Sequence, residues 1–276
     1  MRGETWLSSI VVRAMTGLGR WTAAVGCALA VTVTAASGTA NDLCGTTVLA
    51  DLTLDHDLAC SGTALVVGAD GVRIDLAGHT VSGPGTGAGI LIVGRRGVWV
   101  VGGRIENFTA GVQVNGSSGV VVKHMTFAAN GEGIDLQTGS RAATIKENSF
   151  FDNRARGVMM RAGSADNVVK ENLFSGNNVG VALNGTVDAT VKENVMTSNR
   201  AAGVRVNVPA SGNLVAENTI ETNPAGIDIP VTTGSAVGNT FEENRIASNE
   251  CGIKGPTAGN TVSENIFTLN GADFCG

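Results

Sequence analysis

The sequence predicts an all-β chain wound into a parallel β-helix, and three observations carry that prediction. A Gly followed by Ile or Val recurs at Gly89, Gly111, Gly133, Gly157, Gly180, Gly203, Gly226 and Gly252, at intervals of 22 to 26 residues. Upstream of the glycines runs a Glu-Asn-x-apolar-x-x-Asn signature. Its first Asn falls at Asn148, Asn172, Asn194, Asn218, Asn244 and Asn265, and its second at Asn130, Asn153, Asn177, Asn199, Asn223, Asn249 and Asn270. The apolar residues, finally, align in four columns rich in β-branched and aromatic side chains, with strand alternation and no helical spacing. One column begins Leu76, Val100, Val122, Ile145 and a second, five residues on, Val81, Ile105, Phe127, Phe150. Two more follow the glycine: Ile90, Val112, Ile134, and then Ile92, Val114, Leu136. Each unit reads as three short strands joined by three bends. About nine such coils, stacked at the ~4.7–4.9 Å spacing of paired strands, make a rod about 40 Å long.

From the N-terminus, the elements follow in order. Arg2, Arg13 and Arg20 precede an apolar stretch from Trp21 to Ala36 and small residues up to Ala40, the layout of a secretory signal cleaved after Ala40. Without residues 1–40 the chain keeps 16 basic and 23 acidic side chains, and no later stretch could span a membrane. Export makes the cysteines meaningful. Cys44 and Cys60 lie at one end of the mature chain and Cys251 and Cys275 at the other. Cross-pairing would have to span the rod, so the expected disulfides are Cys44–Cys60 and Cys251–Cys275. A solenoid must hide its open ends, and residues 41–70, outside the repeat, are the expected N-terminal cap before a β-helix over 71–276.

Composition fits this plan. The 276 residues include 39 Gly but only 5 Pro, which excludes a collagen-like repeat, and 43% hydrophobic content excludes wholesale disorder. The bends call for residues that accept positive φ, the expected role of the repeated Gly and Asn, and stacked Asn side chains can bond from coil to coil. A formal charge of -5 argues against a nucleic-acid partner, and the absence of Tyr removes any mechanism that needs a phenol.

The stretch Val72-Arg73-Ile74-Asp75-Leu76-Ala77-Gly78-His79-Thr80-Val81-Ser82-Gly83, followed by Asn-x-apolar-x-x-Asn-x-x-Gly-Ile units, resembles the right-handed parallel β-helix repeat proteins of the pectate-lyase-like superfamily. Within that superfamily it is similar to the group of the copper-accessory NosD domain and the carbohydrate-binding β-helices. The resemblance covers residues 44–276 and implies a single-stranded right-handed parallel β-helix of about nine coils with an N-terminal cap. It does not name a reaction, because the fold hosts many.

In polysaccharide-acting relatives the substrate lies along the first parallel sheet, which the resemblance places at the strand after the repeated glycine. Alternation turns two columns outward there: Leu91, Gln113, Asp135, Met159, Ala182, Arg205, Asp228, Lys254, and Val93, Asn115, Gln137, Arg161, Asn184, Asn207, Pro230. The face reads as polar from the second Gly-Ile/Val unit onward. Gln113, Asn115, Gln137, Asn184 and Asn207 suit sugar hydroxyls, Asp228 joins them as a substrate-binding candidate, and Arg161 and Arg205 suit carboxylates. Arg205, Asp228 and Lys254 can equally be read as a ladder of alternating charge. Glu132 and Asp135, with Arg154, Arg156 and Arg161, form the densest charged cluster. A carboxylate pair there could hold Ca²⁺, with an Arg as proton abstractor in lyase fashion, which makes Arg161, Asp135 and Arg205 the catalytic candidates.

On another face Lys123, Lys146, Lys170 and Lys192 recur beside Glu147, Glu171, Glu193, Glu217, Glu243 and Glu264. Either these neutralise one another or the lysines form a polyanion track. Family signatures such as the three aspartates with Gly-His-Gly of polygalacturonases, or the Tyr with a nearby His of mannuronan epimerases, do not occur. His56, His79 and His124 fall in the cap or at turns. Met125, Met159, Met160 and His124 are too scattered to form a copper cluster. The expected protein is a secreted monomer that binds an extended, anionic polysaccharide along its first sheet, with lyase-like cleavage as the enzymatic form of that reading. The alternative is a non-catalytic cell-surface or periplasmic scaffold.

Overall fold

A computed structural model describes residues 43–231 and 236–276; the expected signal segment, residues 1–40, lies outside them. The described residues form a right-handed parallel β-helix of about ten turns. Its first sheet has eleven strands, from Thr46–Val48 to Ala272–Cys275, each paired in parallel with the strand one coil away. Two further ladders close the cross-section. In one coil the path runs through Glu132–Leu136 in the first sheet, a turn, Thr144–Lys146 in the second, and Ser149–Phe151 in the third. The count exceeds the expected nine coils because the segment assigned to the cap already coils. Thr46–Val48 pairs with Leu65–Val67, and Leu65–Val67 with Ala88–Val93, without the Gly-Ile signature of later units.

Inside, the predicted columns stack in register. Phe127, Phe150 and Phe174 lie one above another, with ring centroids 5.0 and 4.6 Å apart and planes within 12° and 6°. One column needs correction at its start. Val100 pairs with Ile74, not Leu76. The bend between Arg73–Asp75 and Thr80–Ser82 is longer than in later coils, and buried Leu76 sits in that bend, against Gly103 of the next coil.

The reason for the repeated glycines also differs from expectation. The eight glycines of the Gly-Ile/Val signature are not the positive-φ positions. A methyl group at Gly111 would lie 2.6 Å from the carbonyl oxygen of Gly133 and 2.6 Å from the Phe127 ring. These glycines are required by close approach of successive coils. Nor do the ladder asparagines take positive φ. The residue just before each does, as at Glu147 before Asn148, Asp152 before Asn153 and Ser198 before Asn199. This leaves each Asn turned inward, and buried in all but the last coil, so that its amide can satisfy the bend. Asn177 accepts from the Asn153 backbone N–H at 3.1 Å and donates to Asn199 Oδ1 at 3.1 Å and the Phe150 carbonyl at 3.0 Å. A further ladder, through Asn213, Asn239 and Asn260 at the remaining bend, was not anticipated.

Both expected disulfides are present. Cys44–Cys60 joins Cα atoms 5.4 Å apart at the N-terminal end, and Cys251–Cys275 joins Cα atoms 6.2 Å apart across the last two rungs of the first sheet. Among the described residues, no helix is long and apolar enough to cross a membrane.

Candidate functional site

The outer face of the first sheet carries three columns. Besides the two that alternation predicts, the residue before each repeated glycine also faces outward, because the ladder skips the glycine. Glu132 pairs with Arg156 and Ile134 with Val158, leaving Gly133 between them. That column reads Ala88, Ala110, Glu132, Arg156, Val179, Ala202, Ala225 and Cys251. Two adjacent charged residues stand in an otherwise uncharged column, and they define the site.

Glu132 and Asp135 lie on one strand, and each is met by an arginine from the next coil. Arg156 Nη1 donates to Glu132 Oε1 at 2.8 Å. Arg161 grips Asp135 with two hydrogen bonds, Nε to Oδ1 at 2.7 Å and Nη2 to Oδ2 at 3.2 Å, and Gln137 Nε2 adds a third to Oδ2 at 2.9 Å. Glu132, Asp135, Gln137 and Arg161, with Gln113 from the preceding coil, line a depression of about 390 Å³. Both carboxylates are nearly enclosed, their side chains 10% and 6% exposed for Glu132 and Asp135. Glu132 keeps one buried oxygen, Oε2, without a hydrogen-bond partner, and Arg156 Nε is likewise buried without one. Burial pushes the Glu132 carboxyl above the usual carboxylate range, and the opposing pull of Arg156 does not cancel it. The hydrogen bonds that Arg161 donates to Asp135 raise its guanidinium above the ordinary value.

The face then changes character, contrary to the continuous polar strip expected. Met159, Val179, Ala182, Ala202 and Ala225 form an apolar cluster separate from the interior core, with Ala201 packed against it. Met159 and Ala182, though in an outward column, are 2% and 0% exposed. Asn184 and Asn207 flank this floor in register on successive coils. Beyond it Arg205 Nε donates to Asp228 Oδ2 at 2.8 Å, and a second depression of about 300 Å³ opens, lined also by Lys254, Glu250 and both cysteines of the C-terminal disulfide. The ion pair fits the charge-ladder reading of these residues.

Register fixes the spacing. Asp135, Met159, Ala182 and Arg205 occupy successive rungs, so Arg205 stands three rungs from Asp135, about 14 Å away. Gln113, Asp135, Gln137 and Arg161 therefore meet in one depression and Arg205 with Asp228 in another. Arg161, Asp135 and Arg205 do not form a single catalytic centre. Asn115 stands exposed, paired with Val93, toward the N-terminal end of the face.

The lysine column on the second sheet is self-neutralising. Lys170 Nζ lies 2.7 Å from Glu171 and Lys192 Nζ 2.8 Å from Glu193, each pair raising the lysine, and Lys123 Nζ sits 5.5 Å from the centre of the Trp99 ring. His124 bonds Glu147 at 3.1 Å, on this other face.

Neither metal suggested by the sequence fits the residues present. The carboxylates of Glu132 and Asp135 are committed to Arg156 and Arg161, which occupy positions a Ca²⁺ ion would need. Among the described residues no group of three or more His, Cys, Asp or Glu side chains could hold a metal.

Solved structures of similar shape share little sequence with this chain. The alginate lyase from Paenibacillus sp. str. FPU-7 superposes with a TM-score of 0.68 at 13% identity, over 82% of this chain and 91% of that one. The surface protein and adhesin PfbA of Streptococcus pneumoniae gives 0.57 at 12% identity, over 83% and 90%. A tailspike double mutant of E. coli bacteriophage HK620, in complex with a pentasaccharide, gives 0.55 at 12% identity, over 82% and 55%. At such identities the likeness is one of fold. No curated protein matches significantly. Residues 162–274 match the family described as periplasmic copper-binding protein (NosD). That span has no His, its one Met (Met196) is buried in the core, and its one Cys (Cys251) is in a disulfide, so it offers no soft or imidazole donors for copper. Residues 53–195, more than half of the chain, match the right handed beta helix region, and the chain belongs to that family.

Proposed function

We propose that this chain is an exported β-helix protein that binds an extended, anionic polysaccharide along the outer face of its first sheet. The observation that carries the reading is the arrangement of that face. Two arginine-bearing depressions lie three rungs apart, and the half-buried amides of Asn184 and Asn207 stand in register on the face between them. A polymer can bridge them, with its hydroxyls on the amides and its acidic groups at the guanidinium edges. Two disulfides suit an oxidising compartment outside the cytoplasm. Neighbouring folds include an alginate lyase and a tailspike solved with a pentasaccharide, which supports carbohydrate as the ligand class.

Arg161 acts in this reading as a cationic contact. The proton-abstracting role expected of it is opposed by its pairing with Asp135, which holds the guanidinium protonated. Calorimetric titration with oligouronates of increasing length tests the proposal. Affinity should climb until the oligomer reaches both depressions and then level off. Equal, negligible heats from dimer to hexamer would refute it.

A second reading, a non-catalytic scaffold with a protein partner, draws on the last coil. There Ile266, Leu269 and Phe274 are 64%, 85% and 55% exposed. Pull-down through a variant with all three changed to Ser, compared with the native chain, separates the two readings.

A further inference from the structure

We infer that Glu132 and Asp135 form a glycoside-hydrolysing pair, Glu132 giving the proton to the glycosidic oxygen and Asp135 facing the charge that develops at the anomeric carbon. The inference rests on the polysaccharide reading above and adds a reaction to it.

Two carboxyl groups share one depression but live in different surroundings. Asp135 accepts three hydrogen bonds, two from Arg161 and one from Gln137, so both of its oxygens are engaged. Glu132 accepts one, from Arg156, and its Oε2 is buried without a partner. The groups that face Glu132 are few. On the preceding coil Ala110, Thr109 and Gln113 are uncharged, on its own strand stands Asp135, and on the following coil Arg156 and Arg161. Arg154 is engaged with the backbone carbonyls of Ala129 and Phe108. Burial keeps the Glu132 proton into a higher pH range than an ordinary carboxyl, as an acid catalyst requires. Two carboxyls in such different surroundings, one fully bonded and one with a buried oxygen left free, can divide the roles of acid and charge stabiliser in cleaving a glycoside.

Elimination, the other way to break a uronan, needs a base that can accept a proton from carbon. Around this depression the candidates are guanidinium groups tied to carboxylates, the sequence has no Tyr, and His124 lies on another face. In the hydrolytic step the Glu132 Oε–H bond breaks as the proton passes to the glycosidic oxygen and the anomeric C–O bond opens. The leaving sugar departs as an alcohol. Water then adds to the anomeric carbon and returns its proton to the Glu132 carboxylate.

The test uses the mature chain with alginate, polygalacturonate and hyaluronate, assayed for binding by gel retardation, for new reducing ends, and for the ultraviolet absorbance of unsaturated ends. The expected result is reducing ends without unsaturated ones from a polymer that binds. Glu132→Gln should lower turnover by a factor of about 10²–10⁴ with retardation unchanged, and the native rate should fall on the alkaline side as Glu132 loses its proton. A thermal melt checks that the variant is folded. Unsaturated products, or a bound polymer that stays intact, would overturn the hydrolytic pair and leave the binding reading standing, whichever variant is used. Cleavage undiminished in Glu132→Gln would do the same. If none of the polymers is retarded or cut, both fall.

Discussion

Asn177 offers the sharpest test of how the coils are held together. Its side chain is fully buried, and its Oδ1 accepts from the backbone N–H and Nδ2 of Asn153, at 3.1 and 2.8 Å. Its Nδ2 donates to Asn199 Oδ1 and the Phe150 carbonyl. Asn177→Ala strips partners from two groups that water cannot reach, the Asn153 N–H and the Phe150 carbonyl. At roughly 1–3 kcal/mol for each buried unsatisfied group, the loss is about 2–6 kcal/mol. Asn270, at the end of the same ladder, makes equivalent bonds to Asn249 and Ile246 but is half-exposed, so water replaces what Asn270→Ala removes. Its cost should be on the order of 1 kcal/mol. Urea unfolding of both variants, with unchanged slope and shifted midpoint, reads the difference. Equal losses at the two positions would refute the argument that burial, rather than the repeat itself, makes the ladder strong.

Other outcomes follow from the same geometry. Gly111→Ala forces a methyl group against the Gly133 carbonyl and the Phe127 ring, and should cost roughly 1–3 kcal/mol in the same unfolding assay. The raised Glu132 carboxyl means that the fold favours its protonated form, so its contribution is complete below the unfolded carboxylate value and lost as pH rises through the folded one. Native stability measured over a pH series should therefore decline relative to Glu132→Gln from the ordinary carboxylate range upward, and parallel profiles would contradict this. Replacing both Cys251 and Cys275 by Ser should speed amide exchange in Ala272–Cys275 and leave the middle coils protected. Lys170→Ala, on an exposed and self-neutralised pair, should leave the unfolding midpoint unmoved.

The coil was legible because every unit must bury the same columns, and the columns recur in the sequence. The glycines and asparagines were visible too, yet their reasons were not. Gly111 looks like a turn residue until the Gly133 carbonyl of the next coil is seen beside it. Asn148 looks like the bend residue until Glu147 is found to carry the positive φ. Both depend on contacts one coil away, which no local pattern contains. On the candidate face, alternation found Gln113, Asp135, Gln137 and Arg161 and brought them to one depression. It placed Met159 and Ala182 outward without revealing that they are buried in an apolar cluster with residues of neighbouring coils, since that depends on packing between coils. The signal for the acid pair was present as Glu132 and Arg156, charged residues in a column otherwise filled by Ala, Val and Cys. The sequence already groups Glu132 with Asp135 and the arginines; that Glu132 and Arg156 form a third outward column follows only from the ladder skipping the glycine.

The central claim, that a polyanionic glycan lies along the first sheet, is most directly tested by retention of the chain in gels cast with polygalacturonate or alginate, over a range of salt. The native protein should be retained, less so as salt rises. Arg205→Ala should be released at lower salt than the native chain, and Lys170→Ala should behave as native. A native chain that runs unretarded in both polymers, or one whose retention is lost with Lys170 and kept without Arg205, would contradict the account.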